Sequence, residues 1–210
     1  MTIRELTEDD ASVFSNLIID MYQHIDDIEG FVPILYDNLN VRCMLTNSRY
    51  YFLGAFENNM LIGVACLDYL CSDLLEEVGL QERFKFEKII ELNFVVVHSN
   101  FRGRGIMREL YKQLLEKVNK ENYSIMFSKA NKFNFATISS YLHSEFSRLF
   151  DYEQKINKED FKFIASSNFL KPHAKFSAEN TLKRFEHEKF ITLKFSILVK
   201  HLWFNKMLIN

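Results

Sequence analysis

Little in this chain would interrupt regular structure: its 210 residues include 2 prolines and 6 glycines, against 21 phenylalanines and 9 tyrosines. That scarcity excludes a linker-rich or low-complexity polypeptide and favours packed elements from end to end. Cysteine is scarce as well. Cys43, Cys66 and Cys71 are odd in number and have no Cys-x-x-Cys spacing, which argues against a disulfide framework or a zinc site and fits thiols in a reducing compartment. Neither sign of charge is in excess: 26 Lys and Arg face 28 Asp and Glu, for a net charge of −2 and a pI near 6.3. No global field is present to gather a phosphate backbone, so nucleic acid is not an expected partner. Long apolar runs are missing too. A spanning helix needs roughly 18 to 20 apolar residues, whereas the most apolar stretch, Phe190 to Phe204, is broken by Lys194, Lys200 and His201. Met1 to Asp10 carries acidic side chains where a signal peptide has an apolar core. The expectation is a cytoplasmic chain without a membrane partner.

What is present follows a mixed pattern. Thr2 to Leu6 reads as a strand. Thr7 and Asp10 then give a capping signal ahead of helical spacing at Val13, Leu17, Ile18 and Met21. A second helical stretch covers Pro33 to Leu45. Tyr50 to Phe56 and Met60 to Leu70 read as a hairpin around Glu57-Asn58-Asn59. The polar segment Cys71 to Glu87 reads as a long loop before the strand Lys88 to Val97. Ile106, Leu110, Leu114, Leu115 and Val118 then recur at helical spacing, with a strand at Tyr123 to Phe127 and a helix from Asn134 to Phe146. Asp151 to Lys189 is charged and weakly periodic, and Phe190 to Trp203 closes the chain as a strand. This order gives one α/β unit of 210 residues, with 151–189 as an elaboration before the last strand.

The chemistry concentrates in Glu91 to Val97, His98 to Phe101 and Arg102-Gly-Arg-Gly-Ile-Met107, followed by an amphipathic helix. Two glycines opening a helix let backbone N–H groups approach an anion, and the helix start adds about half a positive charge. Neither Gly-x-Gly-x-x-Gly nor a Gly-Lys-Ser/Thr ending is present, which disfavours dinucleotide and ATP sites. Downstream stand Asn134, Ala136, Tyr141 and Phe146.

Together these segments resemble the GNAT superfamily, the Gcn5-related N-acetyltransferases. Its loop pattern Gln/Arg-x-x-Gly-x-Gly/Ala is matched by Arg102 and Gly105, and its Asn-x-Ala-x-x-x-x-Tyr helix by Asn134, Ala136 and Tyr141. The resemblance implies a mostly antiparallel central sheet flanked by helices, with acetyl-CoA as acyl donor. It also implies a cofactor site made of Val95, Val96, Val97, Arg102, Gly103, Arg104, Gly105, Ile106, Met107 and Asn134. Two residues depart from the pattern. Met107 stands where the family has a small residue, and Glu145 stands where it has Gly before Phe146, so the helix end is expected to lack a left-handed cap.

An ammonium has no lone pair, so transfer to an amine needs a base. Glu91, among Ile89, Ile90, Leu92 and Phe94, is the candidate, and the resemblance places Tyr141 as donor to the departing thiolate. His98 is a weaker second base. No base accompanies Cys66 or Cys71, so direct transfer without a covalent enzyme is expected. The six histidines form no ligand spacing, and no metal is expected. The resemblance puts the acceptor beside the first helices and the loop after the hairpin. There Asp26, Asp27, Glu29, Asp73, Glu76, Glu77 and Glu82 favour a cationic small-molecule or peptide amine. The stretch 151–189 is compatible with a lid, a specificity element or a homodimer contact. Two other functions remain open: an acyl-CoA-binding or regulatory domain without turnover, and a protein-interaction module.

Overall fold

The computed structural model describes residues 1–25, 37–70, 72–132, 134–157, 159, 170–184, 186–187 and 190–202. Strand β1 (Thr2–Glu5) leads through a 3-10 turn into α1 (Ala11–Gln23), and α2 (Asn38–Thr46) precedes the hairpin of β2 (Tyr50–Glu57) and β3 (Met60–Asp68). Two short helices follow, α3 (Ser72–Glu77) and α4 (Gln81–Phe84), and then β4 (Ile89–Val97), α5 (Ile106–Lys120), β5 (Ile125–Asn131) and α6 (Phe135–His143). The chain continues through β6 (Ser147–Asn157), α7 (Pro172–Arg184) and β7 (Phe190–His201). The strands form one sheet in the order β1-β2-β3-β4-β5-β7-β6, in which β4 and β5 are parallel and every other pair is antiparallel.

Local chemistry sets the boundaries. The entry to α1 is fixed by a Thr7–Asp10 capping box, and the Asp10 carboxylate also takes both guanidinium nitrogens of Arg4 at 2.7 Å. Hydrogen bonding to Arg4 holds the Asp10 carboxyl below its ordinary range. Asn58 and Asn59 supply the positive φ angles of the β2–β3 turn.

Each face of the sheet carries its own core. On one, Phe14, Leu17, Ile18 and Tyr22 of α1 pack with Phe52, Val64, Cys66 and Val96, together with Ala174 and Ala178 of α7. On the other, Leu110, Leu114 and Val118 of α5 pack against Leu53, Ile62, Leu67, Ile90, Leu92 and Met126. Such fully buried side chains contribute about 1.5 to 3 kcal/mol each. Helix α5 sits close on β3 because Gly63 has no side chain there: a Cβ would come within 2.8 Å of Ile106 Cγ2.

Two expectations are corrected. Residues 71–87, read as a loop, hold α3 and α4, whose Leu75 and Phe84 cover Ile125 and Phe127. The stretch 151–189, read as irregular, holds most of β6 and all of α7. The end of the second helical stretch, Asn38 to Thr46, is helical, while its start at Pro33 lies outside the described residues. Among the described residues, no helix is long and apolar enough to cross a membrane.

Candidate active site

The site grows from an irregularity in β4. Cys66 pairs with Phe94 and Leu67 with Leu92, so Asn93 is an extra residue without a partner on β3. A bulge of this kind bends its strand. Pairing of β4 with β5 stops at Leu92↔Ser128, immediately before it. From Asn93 onward the two strands diverge and open a cleft of about 640 Å³. The direction of the amides follows from alternation along the strand. The His98 N–H donates to the Ile62 carbonyl of β3, so those of Val97 and Val95 point to the opposite edge, into the opening.

Beyond β4, the loop Arg102 to Gly105 leads into α5. Gly103 and Gly105 adopt φ of +75° and +77°, and a Cβ at either would meet nothing within 4 Å. The start of α5 has no side-chain cap. Gly105, Ile106 and Met107 at this start line the cleft, at the positive end of a 15-residue helix, where an anion is favoured. The Arg102 Nε donates to the Val97 carbonyl at 3.3 Å, which ties the loop to the strand.

Of the residues expected at a cofactor site, Val95, Val96, Val97, Arg102, Gly103, Gly105, Ile106, Met107 and Asn134 all line the cleft. Arg104 does not. Its guanidinium is held by the Glu57 carboxylate at 2.8 and 3.2 Å and lies over the Phe101 ring. The Met107 thioether accepts a hydrogen bond from Ser140 Oγ at 3.2 Å, and both residues lie on the wall. Asn134 caps α6 by accepting the Thr137 N–H.

Tyr141 also lines the cleft, nearly buried and hydrogen-bonded to the Ser128 hydroxyl. Burial pushes its phenol up to about 12, so the proton stays on it across the neutral range. Helix α6 ends in a Schellman motif. The Phe146 N–H reaches the Tyr141 carbonyl, the Glu145 N–H reaches that of Leu142, and the Tyr141 and Phe146 rings pack 5.1 Å apart. The left-handed cap expected to be missing is therefore formed, by Glu145 at φ +65°. Lys200 holds this turn by donating to Glu145 Oε2 at 2.9 Å and to the Ser144 carbonyl at 3.0 Å.

Glu91 is placed differently. It faces Asp68 on β3 and Phe127 on β5, is 3% exposed, and does not line the cleft. Burial raises its carboxyl to about 7, partly offset by the charge of Lys129, and its Oε1 has no hydrogen-bond partner. Lys88 is not its counter-ion, since that ammonium donates to the Glu121 carbonyl. Asp68 is fully buried and held by Arg49, with Nε to Oδ1 and Nη2 to Oδ2 both at 2.8 Å.

The wall nearest α1 adds residues that sequence reasoning passed over: Met21, His24 and Ile25 at the end of α1, with Asn93 and Lys129. Asp20 and His24 stand four apart on one helix face, a spacing that could have drawn attention to them. Among the described residues, no carboxylate lines the cleft. Glu76, Glu77 and Glu82 are exposed elsewhere, the Asp73 side chain lies outside the described residues, and so do Asp26, Asp27 and Glu29. His98 is engaged, accepting the Asn100 N–H at Nδ1. The buried Cys66 thiol, raised by desolvation, lies off the cleft. Among the described residues, no three His, Cys, Asp or Glu side chains cluster as metal ligands.

A sheet opened at its parallel pair beside a helix start without a side-chain cap suits an anionic ligand, and sequence comparison supplies the family. The model of the Acetyltransferase (GNAT) family matches residues 13–146, and the chain belongs to that family. It is 26% identical over 168 residues to an uncharacterized protein of Methanocaldococcus jannaschii, covering 73% of this chain and 29% of that one. The chain thus spans less than a third of that relative's length. Solved structures share the fold. A ribosomal-protein-alanine N-acetyltransferase from Brucella melitensis matches with a TM-score of 0.62 at 18% identity, over 96% of this chain and 99% of its own. The ribosomal-protein-S18-alanine N-acetyltransferase of Escherichia coli matches with 0.58 at 12%, over 96% and 93%. An acetyltransferase from Salmonella typhimurium, solved with its cofactor acetyl-CoA, matches with 0.57 at 17%, over 96% and 94%.

Proposed function

We propose that this chain transfers an acetyl group from acetyl-CoA directly to a primary amine. The observation that carries this reading is the continuity of one cleft from the uncapped start of α5, past the inward amides of Val95 and Val97, to the Tyr141 phenol. When bound, acetyl-CoA supplies a thioester carbonyl open to attack. Its diphosphate would be held by the amides of Gly103 to Met107, with Arg102 at the loop, and Asn134 would border the pantetheine. The amides of Val95 and Val97 would hydrogen-bond the pantetheine arm and polarise the carbonyl. Tyr141, protonated at neutral pH, would donate its proton to the departing sulfur. Glu91 can take a proton near neutrality, but only through an intermediary at the wall, because its carboxyl has no surface on the cleft.

The acceptor is an amine of a small molecule or a peptide. Two similar structures are named for acting on the alanine of a ribosomal protein, so an alanine-initiated peptide belongs among the first acceptors to assay, beside polyamines. Burial of Glu91 favours a second reading, an acyl-CoA-binding domain without turnover. Calorimetric titration with acetyl-CoA and with CoA, followed by thiol release with a panel of amines, separates the two. Micromolar binding with amine-dependent release supports the enzyme, and binding without release supports the second reading. No detectable binding removes both.

A further inference from the structure

Among the described residues, the ionisable ones lining the cleft are His24, Arg102, Lys129 and Tyr141. Guanidinium and ammonium groups are protonated at neutral pH, and the Tyr141 phenol holds its proton to about 12. An imidazole is the one group among these that can accept a proton under ordinary conditions. The His24 ring ends α1, with Nδ1 2.8 Å from the Asp20 carbonyl and 3.3 Å from Asp20 Oδ1. Both neighbours of Nδ1 are acceptors, so that nitrogen carries the proton and Nε2 keeps its lone pair. The His24 side chain is 42% exposed, whereas the Asp20 side chain is 13% exposed.

The carboxylate is itself held in place. Ser99 donates to it from both N–H and Oγ at 2.8 Å, and His98 Nε2 lies 3.7 Å from the same Oδ1. We propose that His24, oriented by Asp20, is the catalytic base that takes the proton from the acceptor amine in this cleft. The proposal rests on the acetyl-transfer reading above.

The protons balance. The amine enters as an ammonium with three N–H protons. One passes to His24 Nε2 and on to solvent, which frees the lone pair that forms the C–N bond. As the C–S bond breaks, the sulfur takes the Tyr141 proton. The second amine proton returns to that phenolate, and the third stays on the amide. The net release is one proton, and the Asp20 carboxylate offsets the charge on the ring while His24 holds it. Among the described residues, the charged and titratable groups facing this step are Asp20, His98, Arg102 and Lys129.

The test measures kcat/KM against pH for the wild type, His24→Gln, Asp20→Asn and Glu91→Gln. The acceptor is whichever of an alanine-initiated pentapeptide, spermidine and lysine amide releases thiol fastest. Thermal melts establish folding, and ¹⁵N imidazole spectra of the wild type read the tautomer without any turnover. The expected result is that His24→Gln lowers kcat/KM at neutral pH about 100-fold, leaves acetyl-CoA affinity within about twofold, and recovers as pH rises and free amine becomes abundant. Asp20→Asn should lose less, about tenfold, and release the Nδ1–H tautomer. An unchanged rate profile in His24→Gln overturns the proposal alone, as does an Nε2–H tautomer in the wild type. A wild type that binds acetyl-CoA and acetylates none of the amines overturns it together with the acetyl-transfer reading.

Discussion

The two halves of the cleft are built from different materials. The proposed donor half is backbone: strand amides beyond the end of the β4–β5 pairing, two left-handed glycines and a helix start without a side-chain cap. The proposed acceptor half is side chain, set by contacts between distant segments, such as that of Asp20, beside the cleft-lining His24, with Ser99. A backbone site tolerates exchange of most side chains but not of its glycines. A side-chain site can be altered one proton at a time. The comparison explains why Met107, bulky where the family pattern is small, keeps its place on the wall by packing on Ser140.

The sharpest way to break the donor half is Gly105→Val. A β-branched residue at φ +77° is strained, and its side chain enters the open space before α5. Acetyl-CoA affinity by calorimetry should fall at least about 30-fold, or roughly 2 kcal/mol, while Val96→Ile should leave it within about twofold. Next in size, Tyr141→Phe should reduce kcat about tenfold or more with little change in acetyl-CoA affinity. An equal loss of affinity would make Tyr141 part of the donor-side wall instead.

Glu91 probes the buried layer behind the acceptor half. Its folded pKa of about 7 exceeds the unfolded 4.5, so the folded chain binds the extra proton between those values. Its stabilising contribution is complete below about pH 4.5 and is lost as pH rises through 7, by about 3 kcal/mol at most. Glu91→Gln should therefore gain melting temperature relative to the wild type at pH 8 and show little gain at pH 5. The smallest effect concerns the turn after α6. Glu145→Gly should be more stable than Glu145→Ala by about 1 kcal/mol, since both lose the Lys200 pair and only glycine relieves the left-handed φ.

The residues that line the proposed donor half were legible from sequence because the pattern that marks them is local. Glycines, an apolar strand and a 3.6-residue stripe sit within Glu91 to Val118, and the tyrosine follows at family spacing. What stayed hidden depends on long-range packing or on weak pattern. Helix α7 buries Ala174, Ala178 and Thr181, none of which makes an apolar stripe that stands out among charged neighbours. Strand β6 lies at the sheet edge, where charged side chains are usual and hydrophobic alternation is muted. Helices α3 and α4 are too short for periodicity to register. The burial of Glu91 follows from its register against Asp68 and Phe127, which no reading of β4 alone supplies.

Asn93 fills no chemical role in the proposed reaction, yet the opening begins at this one supernumerary residue. Without the bulge, β4 and β5 could continue side by side, and the amides of Val95 and Val97 would be spent on the carbonyls of β5. The sheet is held unzipped in its resting state. The work of separating the strands is done once, during folding, and is not charged against each ligand that enters. A donor arriving at this cleft meets hydrogen-bond groups already vacant and aligned, and it replaces a missing strand.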